Sequence, residues 1–318
     1  MTGPAASADN GLEPELDWSV IARCPAFPPV PFVASDDVVD AYLQATGERH
    51  ALYDAHATGF VPPLMATMVR LVKASLGGRW PSGTIQLDHR LTTFRPIRRG
   101  EALTLDARIQ DADIRHGNAY FTTRSVMRDA LGAVVGVQSS TSMWAGAVAK
   151  APPGTAGSPA AARRPVEPLQ LPSSDTARFG PVACRYSLRR LRAFGTVAGA
   201  RDPIHVDPAF AKATRFGTNI AQGRLVMALL SRLMLERFGR EWLQASELSV
   251  RFVRPVPVDA TVHAWGAPSE QDPGAYTVWC ELAGQGPVIV GSAQTGTATS
   301  GWAHEAGETQ MPKESTTT

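Results

Sequence analysis

The chain has 318 residues, of which 44% are hydrophobic and 19% charged, a composition that can build a globular core. The length allows two domains or one large one. With a formal net charge of +2 and no Lys/Arg cluster long enough to track phosphates, nucleic acid is not an expected partner.

The opening stretch MTGPAASADNGLEPELDW lacks the apolar core of a secretion signal. No window approaches the ~18 uninterrupted apolar residues of a membrane-spanning helix. A cytoplasmic protein with no membrane partner is expected, with residues 1–14 disordered. A first unit is expected over 15–147. It holds a polar turn, ATGERHALY (45–53), then an apolar helix candidate, PPLMATMVRLVKASL (62–76), then strand candidates at 101–110, 119–128 and 133–143. Residues 148–175 fall in a stretch rich in Ala, Pro, Gly and Ser and read as a linker.

A second unit is expected over 176–301. It opens with a polar turn, AGARDPIHVDPAF (198–210). A helix candidate follows, AQGRLVMALLSRLMLERF (221–238), apolar around most of its circumference and so expected to be buried. Strand candidates lie at 247–254, 259–266, 275–283 and 287–298, and residues 302–318 are expected to be a disordered tail. Cys24, Cys184 and Cys280 are odd in number, far apart and free of any CxxC, so reduced thiols and no metal site are expected.

The two units match in order. Thr92-Thr93-Phe94-Arg95-Pro96 stands opposite Arg251-Phe252-Val253-Arg254-Pro255, 159 residues on. Gly117-Asn118-Ala119-Tyr120 stands opposite Pro273-Gly274-Ala275-Tyr276, 156 on, and the polar turns match at 152. Several matches with a drifting offset indicate an internal duplication. One long buried helix followed by antiparallel strands implies an α+β fold in which a sheet wraps a helix, twice over.

The turn Ala198-Gly199-Ala200-Arg201-Asp202-Pro203-Ile204-His205, with Asp207-Pro208 and Phe210-Ala211 after it, resembles the signature of the MaoC-like (R)-specific enoyl-thioester hydratases and dehydratases. That signature reads [S]-G-D-x-N-P-[IL]-H, often followed by x-D-P-x-F-A. Ile220-Ala221-Gln222-Gly223-Arg224-Leu225 resembles the family's I-A-H-G-M-L at the start of its central helix, and Arg254-Pro255 its R-P. The resemblance covers 180–300 well and 30–146 as a degenerate copy. It implies a double hotdog fold, a pseudo-dimer in one chain, and a lyase acting on 2-enoyl or 3-hydroxyacyl thioesters of CoA or acyl-carrier protein. It implies no metal or redox cofactor, and a homodimer is possible.

By the same resemblance His205 is the acid–base residue, Asp202 its partner and the Gly223 N–H the oxyanion donor. Gln222, Arg254 and Tyr53 are candidate substrate contacts. The family's catalytic Asp falls on Ala200, its Asn on Asp202 and its helix-start His on Gln222. Losing one acid–base group costs about 10²–10⁴-fold, and three readings stay open. Asp202 replaces the missing carboxylate. Alternatively, His205 works with water or another residue in a variant reaction such as thioester hydrolysis. In the third reading the pocket binds acyl thioesters without turnover. In the first copy Glu48, His50 and Tyr53 stand at the positions of the Asp, Asn and His. They are expected to shape the wall of a separate pocket. Taken alone, His205 and Asp202 could also serve only to form a turn. Asp207 is expected to cap a short helix. Arg254, like Arg95, is expected to meet either a carrier phosphate or a carboxylate of the neighbouring half.

Overall fold

The computed structural model describes residues 15–145, 171–173 and 176–296. The expected tails, 1–14 and 302–318, and all of the expected linker except 171–173 lie outside them. The first half runs α1 (Trp18–Ile21), β1 (Val30–Val33), α2 (Asp36–Thr46), a 3-10 turn (Ala51–Tyr53), a 3-10 segment (Pro63–Thr67), α3 (Val69–Leu76), β2 (Thr84–Thr93), β3 (Ala102–Arg115), β4 (Asn118–Asp129) and β5 (Val134–Trp144). The second half runs β6 (Phe179–Arg185), α4 (Leu188–Ala198), α5 (Pro203–Val206), α6 (Pro208–Lys212), α7 (Gly223–Phe238), α8 (Arg240–Gln244), β7 (Ser246–Phe252), β8 (Thr261–Pro268), β9 (Ala275–Leu282) and β10 (Gly286–Thr295).

The strands form one ten-stranded sheet in the order β1-β3-β4-β5-β2-β7-β10-β9-β8-β6. The order of the first five is mirrored by the last five. The halves join where β2 pairs antiparallel with β7, from Asp88 opposite Arg251 to Thr93 opposite Ser246. The duplication extends to single hydrogen bonds. Ala34 N–H donates to Glu101 O as Tyr186 N–H does to Ala260 O. Val61 N–H donates to Ile97 O as Ala221 N–H does to Val256 O. The offset changes in one loop. Seven residues separate Tyr53 from Phe60, but fifteen separate His205 from Ile220, so the second half carries eight more, among them α6.

Helix α7 packs against all five strands of its own half. Leu225, Val226, Met227, Ala228, Leu229, Leu230, Leu233 and Met234 are buried in it, as an all-round apolar helix requires. The first half departs from expectation: 62–76 is not one helix. Met68 takes extended angles (φ −56°, ψ 130°) and separates the 3-10 segment from α3. The carbonyl of Thr67, which a continuous helix would use internally, instead accepts from the Arg224 guanidinium of the other half.

Helices α2 and α4, absent from the sequence reading, pack against each other across the halves. Each ends on a left-handed glycine, Gly47 (φ 72°) and Gly199 (φ 74°). At Gly199 the requirement is doubled, because a Cβ there would fall 2.5 Å from Arg70 Cβ. The loop carrying the second polar turn therefore lies directly on α3 of the first half. Cys24, Cys184 and Cys280 are unpaired. Among the described residues no helix is long and apolar enough to cross a membrane.

Candidate active site

The left-handed turn at Gly199 ends α4 and sends the chain through Ala200, which is buried, to Asp202 at the N-terminus of α5. Pro203 occupies the first turn, where its missing N–H is not needed. One turn on, the backbone N–H of His205 donates to Asp202 O (2.9 Å). The His205 ring turns inward, with Nδ1 2.9 Å from the carbonyl oxygen of Ile220. A carbonyl can only accept, so Nδ1 carries the hydrogen and Nε2 keeps its lone pair. Burial pushes the His205 pKa down; the Ile220 bond and the charge of Asp202 push it up, and Lys73 pushes it down again, leaving it below the ordinary histidine value. The imidazole is therefore neutral near pH 7 and basic at Nε2.

Two residues that the sequence reading missed fix this geometry. Asn219 is buried, and its Nδ2 donates to Ile204 O (3.0 Å) and Asp207 O (3.1 Å), tying α5 to the segment that enters α7. Lys73, 7% exposed on α3, comes from the first half to act on His205. Its only sequence signal is a cation, one of two with Arg70, in an otherwise apolar helix candidate. Asp207 caps α6 as expected, its Oδ1 accepting from Ala209 N–H (2.9 Å) and Phe210 N–H (3.2 Å).

Asp202 lies near His205 but makes no side-chain hydrogen bond to it, and its carboxylate does not cap α5. Gln222 is buried. Its Nε2 donates to Leu191 O (2.9 Å) and Ala200 O (3.2 Å), while its Oε1 has no hydrogen-bond partner. It fastens the Ala200 turn to the start of α7. Gly223 is the first residue of α7, in the turn whose N–H groups have no acceptor within the helix. A Cβ at Gly223 would fall 2.8 Å from Phe252 Cε1, so the packing calls for glycine. Arg224, next along, is buried enough that its pKa falls to about 10.

The site thus brings together His205, Asp202, Gln222, Gly223 and Lys73. It does not bring in the other two candidates. Tyr53 is buried in the first half, where it lines a different cavity with Glu48 and His50. Arg254 is exposed and donates from Nη1 to Gln285 O, a backbone carbonyl of its own half. The expected carboxylate of the neighbouring half is not its partner, because Arg254 follows β7 at the end bordering the β9–β10 turn. Arg95 finds its carboxylates, Glu101 and Asp129 (2.9 Å), within its own half as well.

The chain is similar to several known proteins. The crystal structure of HtdX from Mycobacterium tuberculosis is similar, with a TM-score of 0.62 at 21% identity over 84% of this chain and 100% of that one. A conserved hypothetical protein of Mycobacterium tuberculosis, described as a double hotdog fold, is similar over 90% of this chain and 96% of that one, at 14% identity and a TM-score of 0.53. The fold is a double hotdog, of the α+β class. Residues 175–278 match the model of the MaoC like domain. The 3-hydroxyacyl-thioester dehydratase Z of Mycobacterium tuberculosis is 39% identical over 75 residues, 22% of this chain and 50% of that protein. The chain spans about half the length of the curated relatives it matches.

Proposed function

We propose that this chain is a hydratase/dehydratase acting on 2-enoyl and 3-hydroxyacyl thioesters carried by CoA or an acyl-carrier protein. The observation that carries the reading is the bond from His205 Nδ1 to Ile220 O, three residues before Gly223. One short segment thereby sets both a basic Nε2 and a free N–H at a helix N-terminus.

In the hydration direction Nε2 takes a proton from water as its oxygen bonds to C3 of the enoyl chain. The C2–C3 π electrons shift toward the thioester carbonyl, whose oxygen gains negative charge. Gly223 N–H donates to that oxygen, and the α7 dipole adds to the effect. The His205 imidazolium returns a proton to C2, so the elements of water have added and the enzyme is restored. Asp202 favours the transient imidazolium through space, in place of the carboxylate that Ala200 lacks. Dehydration is the same path reversed. The thioester itself acidifies C2, so this chemistry calls for no metal or redox cofactor. In this reading 15–147 and 176–301 are the two hotdog units, joined by 148–175.

A second reading has its own support. Ala200 leaves His205 with no carboxylate hydrogen-bonded to it, which suits a protein that binds acyl thioesters without turning them over, or a thioesterase-like variant. Water addition to crotonyl-CoA and to longer and branched enoyl-CoAs separates the readings. Turnover by the wild type, with a loss of about 10²-fold or more in His205→Ala and a clear loss in Asp202→Asn, supports the hydratase. Inertness across the panel with retained binding supports the binding protein, and release of free CoA supports the thioesterase.

A further inference from the structure

The seam between the halves carries a cation that hydration itself does not use. Arg224 directly follows Gly223 on the first turn of α7. Its guanidinium crosses to the first half and donates from Nη1 to Thr67 O. Helix α3 begins two residues beyond Thr67 and lines the same seam. Its Arg70 packs on Gly199, in the turn that leads to His205, and the charge of its Lys73 is felt at the His205 ring. The Arg224 guanidinium and the His205 imidazole therefore meet the same short stretch of the first half, Thr67 to Lys73.

The duplication shows that the fold does not require a charge at this position. Val61 N–H donates to Ile97 O as Ala221 N–H does to Val256 O, so Leu64 is the counterpart of Arg224, each three residues further on. Leu64 is 2% exposed and packs in the core. One half fills the position with an apolar side chain and the other with a guanidinium.

The Arg224 charge has no counter-charge. Among the described residues it forms no ion pair, and the group that supports it most is the Tyr42 phenol. Burial holds Tyr42 well above the ordinary phenol value, so it is neutral near pH 7. His89 is held neutral by burial, to which Arg224 adds. Arg224 itself, at about 10, stays charged. A charge taken out of water without a partner is costly, and a bound anion relieves that cost.

The guanidinium is also within reach of a ligand. Protein surrounds Arg224, yet part of its surface stays accessible. Only Nη1 is engaged in a hydrogen bond, and neither Nε nor Nη2 is among the sealed polar atoms of the interior. Nε and Nη2 together form the edge that grips a carboxylate through two parallel hydrogen bonds.

We propose that Arg224 selects thioesters whose acyl chain ends in a free carboxylate, which pairs with the Nε–Nη2 edge while the thioester carbonyl meets Gly223 N–H. The inference rests on the reading of the His205 site as an acyl-thioester site and names the chain it takes: a short dicarboxylic acid joined to its carrier at one end. A carboxylate one or two carbons past C3 lies within the length of an arginine side chain from the oxyanion donor. A plain alkyl chain in the same place would leave the charge unanswered.

Glutaconyl-CoA, with a carboxylate at C5, and trans-2-hexenoyl-CoA, a neutral thioester of similar length, test this on the full chain. Calorimetry on His205→Ala reads binding without turnover, and kcat/KM is read on the wild type. The expected result is a preference for glutaconyl-CoA of about tenfold to a hundredfold in both measurements. Adding Arg224→Met brings the binding ratio close to one, and adding Arg224→Lys keeps part of it. An Arg224 that served only to hold Thr67 O would weaken both thioesters alike and leave the ratio unchanged. Equal binding of the two thioesters overturns the proposal, even if the wild type hydrates both and whether or not the Arg224 variants fold. So does a preference that survives Arg224→Met, or failure to bind either thioester. A preference for glutaconyl-CoA that Arg224→Met removes, in a protein that hydrates neither, upholds the carboxylate site and overturns the hydratase reading alone.

Discussion

Lys73 and His205 come from opposite halves of the chain and share one electrostatic neighbourhood: the α3 ammonium lowers the affinity of the α5 imidazole for its proton. Asp202 acts in the opposite direction, and burial outweighs both. The base must be neutral to accept a proton from water, so the acid limb of the kcat/KM profile reports the His205 pKa. In the wild type this limb is expected below the ordinary histidine value. Lys73→Met removes a repelling charge and moves the limb to higher pH, whereas Asp202→Asn moves it to lower pH. Profiles of the two variants that shift in the same direction would remove His205 as the titrating base.

Gly223 combines two requirements, a donor N–H and no side chain. In Gly223→Ala the new methyl meets the Phe252 ring at 2.8 Å, so either the ring or the first turn of α7 must move. Removing an oxyanion donor outright costs about 10²–10³-fold in kcat, and a displaced donor should approach that range. The expected outcome is a kcat/KM loss of at least about tenfold toward enoyl-CoA, with a lowered Tm because the clash with the Phe252 ring costs about 1–3 kcal/mol. An unchanged kcat would remove Gly223 N–H from the oxyanion site.

Much of this architecture was legible locally. The α7 pattern, the later strands of each half and the Asp207 cap rest on contacts within a few residues, so periodicity and turn chemistry suffice to find them. β2 was not legible, because Asp88, His89 and Arg90 interrupt any apolar alternation. Asp88 and Arg90 are tolerated in mid-sheet by partners distant in sequence. Asp88 Oδ1 accepts from Thr141 N–H (3.1 Å), and Arg90 pairs with Glu247 (2.8 Å). α2 and α4 escaped because each is short and is stabilised chiefly by packing on the other. At the site, the motif located His205, Asp202 and Gly223. Lys73, Asn219 and the Ile220 carbonyl join them only through tertiary folding, which no spacing within the motif records.

Gln222 does structural work where the family signature has a histidine. Its Nε2 holds two carbonyls, Leu191 O of α4 and Ala200 O of the turn that follows it. Gln222→Ala leaves both without that donor and is expected to destabilise the chain by about 1–3 kcal/mol. Because the Ala200 turn leads directly into α5, catalytic activity should fall along with stability. Chemical denaturation checks the first effect, and enoyl-CoA hydration at a temperature well below the variant's Tm checks the second. A variant as stable as the wild type would mean that water replaces the amide without cost.

Glu48 makes the stability of the whole chain depend on pH. Burial raises its pKa in the folded state to about 7 from an ordinary value of 4.5. Between those limits the folded chain holds a proton that the unfolded chain has released. Stability from this group is therefore greatest at low pH and is lost as pH rises through the window, by an amount on the order of 3 kcal/mol once Glu48 is ionised. Glu48→Gln cannot ionise and keeps nearly the same shape. The variant is expected to be more stable than the wild type at about pH 8, with the difference shrinking toward about pH 5. Denaturation midpoints for both proteins at the two pH values decide the matter. A difference that does not change with pH would show that Glu48 has an ordinary pKa in the folded chain.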